Sequence, residues 1–370
     1  MSRIGTLADI HLGNHQVLHG PIVAGLNRRC RLTLQCLRCA VERANDERCS
    51  HLIIAGDLFD DDCPSPQLIA AAIDVLREFS GKVIIMLGNH DQSSTQVDDH
   101  ALAPLSRAGF TVVTAPAVEY LESGALPLLL IPFRPVALMA GYLVEARESF
   151  PSDMGFSALI GHCGIYDQTF PDYLKGKSAV SIEMVETLAE KYQIATSMFG
   201  DYHTHKRWRR GARETIQIGT LCPADFGNKA PFGGLLVLNT DTGEVVQHEI
   251  PGPRFVNMTW TGRGEEPLDI EDDWPDGHQV HVRVRAKPQQ IAEATAWMVE
   301  VVEAVSKDIV AWEVEPDTTD AEEAAKEAAA RPISLDMHRD LTEYVAGRPE
   351  IPERLRERVV SATLDRLRTR

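Results

Sequence analysis

Residues 5–15 read GTLADIHLGNH, an apolar rise that breaks within three residues into a carboxylate, Asp9, and an imidazole, His11, two positions before Gly13. A short apolar run bounded by polar turn residues reads as a sheet strand. The same form recurs down the chain: HLIIAGD (51–57) ends in Asp57, and KVIIMLGNHD (82–91) ends in Asn89, His90 and Asp91. SALIGH (157–162) ends in His162, and ATSMFGDYHTH (195–205) in His203 and His205. Five strand ends thus deliver only Asp, Asn and His, four of them beside a glycine. Runs such as LIIA and VIIM are apolar at every position, as expected for strands covered on both faces. Further strands are predicted at LPLLLIPF (126–133), GLLVLN (234–239) and VVQHEI (245–250), and helical periodicity appears at about 28–47, 66–79, 98–107, 135–148 and 181–191. This alternation predicts a layered α/β domain over residues 1–252.

In layered α/β sheets, ligands sit outside the carboxyl ends of the strands, so side chains 200 positions apart converge there. Adjacent glycines permit positive φ and close backbone approach. Any one of these Asp or His residues alone reads as a turn or cap residue; the five ends together describe a polar cluster. Imidazole, carboxylate and amide oxygen suit divalent ions of intermediate hardness such as Mn²⁺, Fe²⁺ or Zn²⁺. The set exceeds the four ligands of one tetrahedral ion. Two ions sharing a carboxylate would use all of it, and a pair roughly 3.5 to 4 Å apart is suited to in-line displacement at phosphorus.

The 370 residues carry 54 acids against 37 bases, a formal charge of −17, which at first sight opposes a nucleic-acid partner. The charge is uneven: EEPLDIEDDWPD (265–276) has seven acids and no base, whereas KRWRRGAR (206–213) has five bases and no acid. Seven cysteines without regular spacing argue against a secreted disulfide framework, and Cys36 and Cys39 of CLRC fall on the apolar face of a helix. The first residues lack a signal-peptide pattern, and no apolar run approaches the roughly 18 residues of a membrane span. The expected location is cytoplasmic.

Beyond residue 252, IPGPRF (250–255) and the acidic stretch 262–278 read as linker. A small β-α-β unit is predicted from HQVHVRVRA (278–286), a helix over about 289–306 and IVAWEVEP (309–316). The Ala/Glu-rich residues 317–330 read as a tether or solvated helix, and 331–370 as two amphipathic helices whose apolar faces require a surface to cover.

The ordered set DIH, GD, GNHD, GH and HTH resembles the five-block signature of the calcineurin-like metallophosphoesterase superfamily. Within it, DIHLG and the domain layout are similar to the SbcD-type DNA repair nucleases, phage-encoded members included. The resemblance implies a four-layer α/β/β/α sandwich (1–252), an α+β capping domain that binds DNA (253–316), a linker (317–330) and a helical partner-binding region (331–370). It implies two Mn²⁺ per chain. Asp9, His11 and His205 would hold the first ion, Asp57 would bridge, and Asn89, His162 and His203 would complete the second. His90 would be the catalytic histidine, with Asp91 holding its ring. One departure is visible: the family's last block usually sets the histidine directly after the glycine, whereas Asp201 and Tyr202 intervene between Gly200 and His203. Lys206, Arg207, Arg209, Arg210 and Arg213 would then lie at the rim, where a DNA backbone could run, with Trp208 either stacking on an unpaired base or packed. The implied activity is 3′–5′ exonuclease and single-strand endonuclease, in a homodimer with an SMC-like ATPase. The alternative is a phosphoesterase acting on phosphoprotein or small nucleotide substrates.

Overall fold

A computed structural model describes residues 2–14, 22–94, 96, 99–121, 124–134, 139–170, 179–223, 232–262, 279–305, 309–317 and 357. The first sheet is built on β1 (Arg3–Leu7), β2 (His51–Ala55), β3 (Lys82–Met86) and β4 (Thr111–Val113), parallel neighbours in that order. Their register sets Leu7 opposite Ile54 and Ala55 opposite Met86, so their carboxyl ends are level. In the second sheet β6 (Leu128–Ile131), β7 (Ala158–His162), β10 (Thr196–Gly200) and β12 (Arg213–Gln217) are parallel neighbours. The edges carry antiparallel strands: β5 (Ala117–Glu119) and β11 (Lys206–Arg210) on the second sheet, β13 (Leu235–Asn239) and then β14 (Val245–His248) on the first. The orders are β14-β13-β1-β2-β3-β4 and β11-β12-β10-β7-β6-β5. A separate parallel pair, β8 (Gly164–Tyr166) and β9 (Ala179–Ser181), follows β7.

Alternating side chains of these strands fill three layers. Ile4, Ile53, Ile84, Leu236, Leu130, Ile160, Met198 and Ile216 meet between the sheets. Leu7, Leu52, Ile54 and Ile85 face the helices α1 (Arg28–Asp46) and α2 (Pro66–Leu76). Leu129, Leu159 and Phe199 face α4 (Met139–Glu148) and α5 (Ile182–Lys191). The result is the expected α/β/β/α sandwich. Asn27 and Ser65 start α1 and α2 as N-caps, accepting from Cys30 N and Leu68 N. The predicted helix at 98–107 shortens to α3 (Ala103–Arg107), because the His100 side chain takes Leu102 N and Pro104 fits only a first turn. Cys36 is buried and Cys39 half-buried on α1, so both are packing residues.

IPGPRF is not a linker: Pro253–Thr259 forms β15, parallel to β16 (Gln279–Ala286), and β17 (Ile309–Pro316) lies on the other side of β16. Helix α6 (Ile291–Val305) closes this module over Val280, Val282, Val284, Ala294 and Met298. Its other face reaches α1, where Arg29 Cζ lies 5.7 Å from the centre of the Phe255 ring and His281 stacks on Phe255. Residues Met1–Glu315 form one compact unit and Pro316–Arg370 a second. The acidic 265–276 segment, the tether and the two C-terminal helices fall outside the described residues, Glu357 excepted. Among the described residues no helix is long and apolar enough to cross a membrane.

Candidate metal centre

The five strand ends meet at one edge of the sandwich. Past β1, the chain turns sharply at Asp9 (φ 50°) and His11 (φ 49°), past β2 at Asp57 (φ 52°), and past β10 at Asp201 (φ 97°). Four non-glycine residues in the left-handed region within one cluster is a concentration of backbone strain that belongs to functional sites. Two glycines serve close approach. A Cβ on Gly56 would lie 2.1 Å from His162 Nδ1, and one on Gly88 the same distance from Asp57 Oδ1.

Three trios of ligand atoms lie within 4.8 Å of one another: Asp9, His11 and His203; His11, Asp57 and His90; Asp9, Asp57 and His162. One oxygen, Asp57 Oδ2, is 3.8 Å from His11 Nε2 and 3.5 Å from His162 Nε2, so a single carboxylate stands between two imidazoles from different sheets. The Asn89 amide oxygen is 2.8 Å from His162 Nε2. His203 Nε2 is 3.0 Å from His11 Nε2, so the structure groups His203, not His205, with Asp9 and His11. His205 belongs to none of the three trios. Its Nδ1 donates to Ile218 O at 2.9 Å, and its buried Nε2 has no hydrogen-bond partner among the described residues.

The ring orientations fit a cation. His162 Nδ1 donates to Ala55 O (2.7 Å), and the Nδ1 of His205 is likewise held by a carbonyl, which directs each Nε2 lone pair away from the backbone. The electrostatics say the same. Burial, and then Asp57, push the Asp9 carboxyl up to about 7. Burial alone would lower His162, but the Asp57 carboxylate raises it to about 10. Asp57 itself is held well below the carboxylate range, burial being outweighed by His162. Positive charge is thus favoured beside Asp57, as a divalent cation there would require.

Two sequence expectations change. Asp91 does not hold the His90 ring: its Oδ1 accepts from Phe59 N and its Oδ2 from Gly88 N, both at 3.0 Å, and it is fully buried. Its carboxyl, pushed up to about 6 by burial and then Asp57, braces the two loops that carry Asp57 and Asn89. His90, exposed, is held instead by Asp60 O at 2.8 Å from its Nδ1, with its backbone N on Asp57 Oδ1. The basic stretch also differs from its reading. It is a strand hairpin, β11 against β12, turned by Gly211 at φ 61°. Lys206 pairs with Asp167, Arg207 and Arg209 with Glu214, and Arg210 with Glu186. Trp208 is half-buried, its indole donating to Asp167 Oδ2 at 2.7 Å. Four of the five bases therefore already have carboxylate partners.

Sequence reasoning passed over Asp60, Asp201 and Thr220. Asp60 Oδ1 is 3.4 Å from His11 Nδ1. Asp201 N donates to both oxygens of Asp9 (2.9 and 3.1 Å), and Thr220 Oγ donates to Asp9 O at 2.7 Å. The residues that interrupt the last block thus supply a backbone donor to the first.

Residues 2–205 match the calcineurin-like phosphoesterase family, and the chain belongs to it. Its candidate ligand clusters are those of a divalent-metal phosphoesterase hydrolase. No curated protein sequence matches the chain. Similar solved structures include an archaeal phosphodiesterase (14% identity, TM-score 0.36, 66% of this chain and 98% of that one). Another is a phosphopantetheinyl hydrolase from Mycobacterium tuberculosis (15%, 0.38, 63% and 94%). A third, from Staphylococcus aureus, is a protein described as a 5′-nucleotidase (15%, 0.43, 67% and 53%).

Proposed function

We propose that this chain is a dinuclear phosphodiesterase that cleaves DNA, with Mn²⁺ as its ion, serving recombination or repair beside an SMC-like ATPase. The observation that carries the dinuclear reading is the placement of Asp57 Oδ2 between His11 Nε2 and His162 Nε2. Asp9, His11 and His203 would hold one ion, Asn89 and His162 the other, Asp57 both, with His205 Nε2 beside them. Bound there, the pair supplies Lewis-acid polarisation of a phosphoryl group and an activated water. His90, with Nδ1 committed to Asp60 O, is left with Nε2 to face a scissile phosphate and move a proton to the leaving oxygen. The DIHLG continuation and the β15-β16-α6-β17 module fused to α1 support DNA as the substrate.

A second reading, hydrolysis of small phosphoesters, is favoured by the hairpin, whose paired bases offer a polyanion little free charge. The test is cleavage of 3′-labelled single-stranded and duplex DNA with Mn²⁺, beside p-nitrophenyl phosphate and its bis ester. Degradation of DNA and of the bis ester is expected. Intact DNA with turnover of the monoester would transfer the assignment to the second reading.

A further inference from the structure

Of the seven cysteines, all free, two from distant parts of the chain face each other. Cys36 lies on the packed face of α1 and Cys222 in the segment after β12, both buried, and their thiols share a hydrogen bond. Gly252, just ahead of β15, closes over the pair: a Cβ there would lie 2.5 Å from Cys36 Sγ and 3.5 Å from Cys222 Cβ. The surroundings are cationic. The buried Arg29 guanidinium hydrogen-bonds Pro223 O and the Cys222 thiol, and the buried Arg254 acts on the same thiol. Positive charge beside a thiol favours the thiolate, the attacking form in disulfide exchange. The Cys36 hydrogen bond and then the two arginines, against burial, lower the Cys222 thiol to about 6, whereas Cys36 is held well above the usual thiol range, first by Cys222 and then by burial. One sulfur is thus prepared to attack and the other to resolve.

We propose that Cys36 and Cys222 form a redox modification site, a dithiol that closes to a disulfide by exchange with a low-molecular-weight disulfide and so fastens α1 to the segment after β12. With oxidised glutathione, the Cys222 thiolate attacks one sulfur, the glutathione S–S bond breaks, and the first glutathione leaves as a thiolate that takes up a proton. Cys36 then gives up its proton and attacks Cys222 Sγ; the mixed disulfide breaks and the second glutathione leaves in the same way. Two cysteine thiols are oxidised, one glutathione disulfide is reduced to two thiols, and two electrons pass between them. The fastened segment is the one whose Thr220 Oγ lies 2.9 Å from Cys222 O and 2.7 Å from Asp9 O, so the bond forms two residues from a group that holds the metal centre. Because both sulfurs lie beneath Gly252, the reagent must enter through local opening there, and reaction should be slower than at the exposed Cys63.

The experiment incubates the folded full chain, and its Cys63→Ser variant, with oxidised glutathione, quenches with acid, alkylates the remaining thiols after denaturation and maps the peptides by mass spectrometry without reductant. In the wild type, Cys63 should carry glutathione first, which shows that the oxidant is competent. In Cys63→Ser, two alkylatable thiols should disappear together, and the peptides holding Cys36 and Cys222 should appear joined, with the join lost on addition of dithiothreitol. Adding Cys222→Ser to Cys63→Ser should abolish the joined peptide and leave Cys36 alkylated. Recovery of Cys36 and Cys222 as free thiols after Cys63 of the wild type is fully glutathionylated overturns the proposal. So does a Cys36–Cys39 bridge in place of Cys36–Cys222, or glutathione that stays on Cys222 without closure.

Discussion

Loading the site with metal should expel protons. A ligand must be deprotonated to bind a cation. In the metal-free site the Asp9 carboxyl stands at about 7, through burial and the neighbouring Asp57. His162 stands at about 10, through the same Asp57 against the effect of burial. At pH 7 His162 therefore holds one proton and Asp9 about half of one, and His11, raised against burial by Asp60 and Asp57, adds to them, so metal uptake should release at least about 1.5 protons. Acidification opposes binding, because both values lie at or above neutral. Between pH 8 and 6, His162 contributes about a hundredfold and Asp9 about tenfold, an apparent affinity about a thousandfold weaker at the lower pH. Titration calorimetry with Mn²⁺ in buffers of differing ionisation enthalpy counts the protons, and repeating it across this range gives the slope. Release below about 0.5 proton at pH 7, or an affinity change below about tenfold, would show that Asp57 does not charge His162.

His90→Ala should keep its Mn²⁺ stoichiometry and lose turnover by roughly 10²- to 10⁴-fold, whereas Asp57→Ala should lose metal as well; elemental analysis beside rates separates them, and equal metal loss refutes the division. Asp91→Ala strands two buried backbone N–H groups, each worth about 1–3 kcal/mol, so thermal unfolding should move down by several degrees. An unchanged melting temperature with lost turnover would restore Asp91 to the ring-holding role. Gly56→Ala must place a methyl on the His162 ring at φ 91° and should lower both melting temperature and metal uptake. Gly141→Ala, with open space in α4, is the control expected to leave metal uptake unchanged and the melting temperature level or slightly raised.

The sandwich was legible because its central strands, covered on both faces, are apolar at every position, and because their shared form exposes the residue after each strand. The candidate ligands followed, since a side chain at a strand end needs no knowledge of its neighbours to be placed at the sheet edge. Edge elements were less legible. β11 and β12 carry four arginines and one glutamate, and the cross-strand pairing of Arg207 and Arg209 with Glu214 is invisible in a linear charge count. β15 was hidden by the prolines at 251 and 253, which the start of a strand accepts. Asp91 was misread because adjacency to His90 suggested contact, whereas consecutive side chains in the loop point apart, one to solvent and one into the core. Asp60 lies one residue past the apolar Leu58 and Phe59, with no strand end of its own to mark it, and the parallel run of the strip after β1 is what brings it to the site.

The centre also depends on sheet-to-sheet closure. Asp9, His11, Asp57 and Asn89 come from the first sheet, His162 and His203 from the second, and each of the three trios contains a first-sheet carboxylate. Polar links across the gap include His162 to Ala55 O, Asp201 N to Asp9, Thr220 to Asp9 O and Phe133 N to Leu87 O. They join directly onto the apolar layer of Ile53, Ile160 and Met198, which sets the separation of the two sheets. Close-packed interiors transmit displacement rather than absorb it. A cavity in that layer should therefore reach the site as a change in the distance of Asp57 Oδ2 from His162, whereas a cavity beneath α1 or α5, on the outer faces, leaves both sheet edges where they are. The residues that select the metal are polar, and the spacing that lets them act together is set by the aliphatic side chains between the sheets.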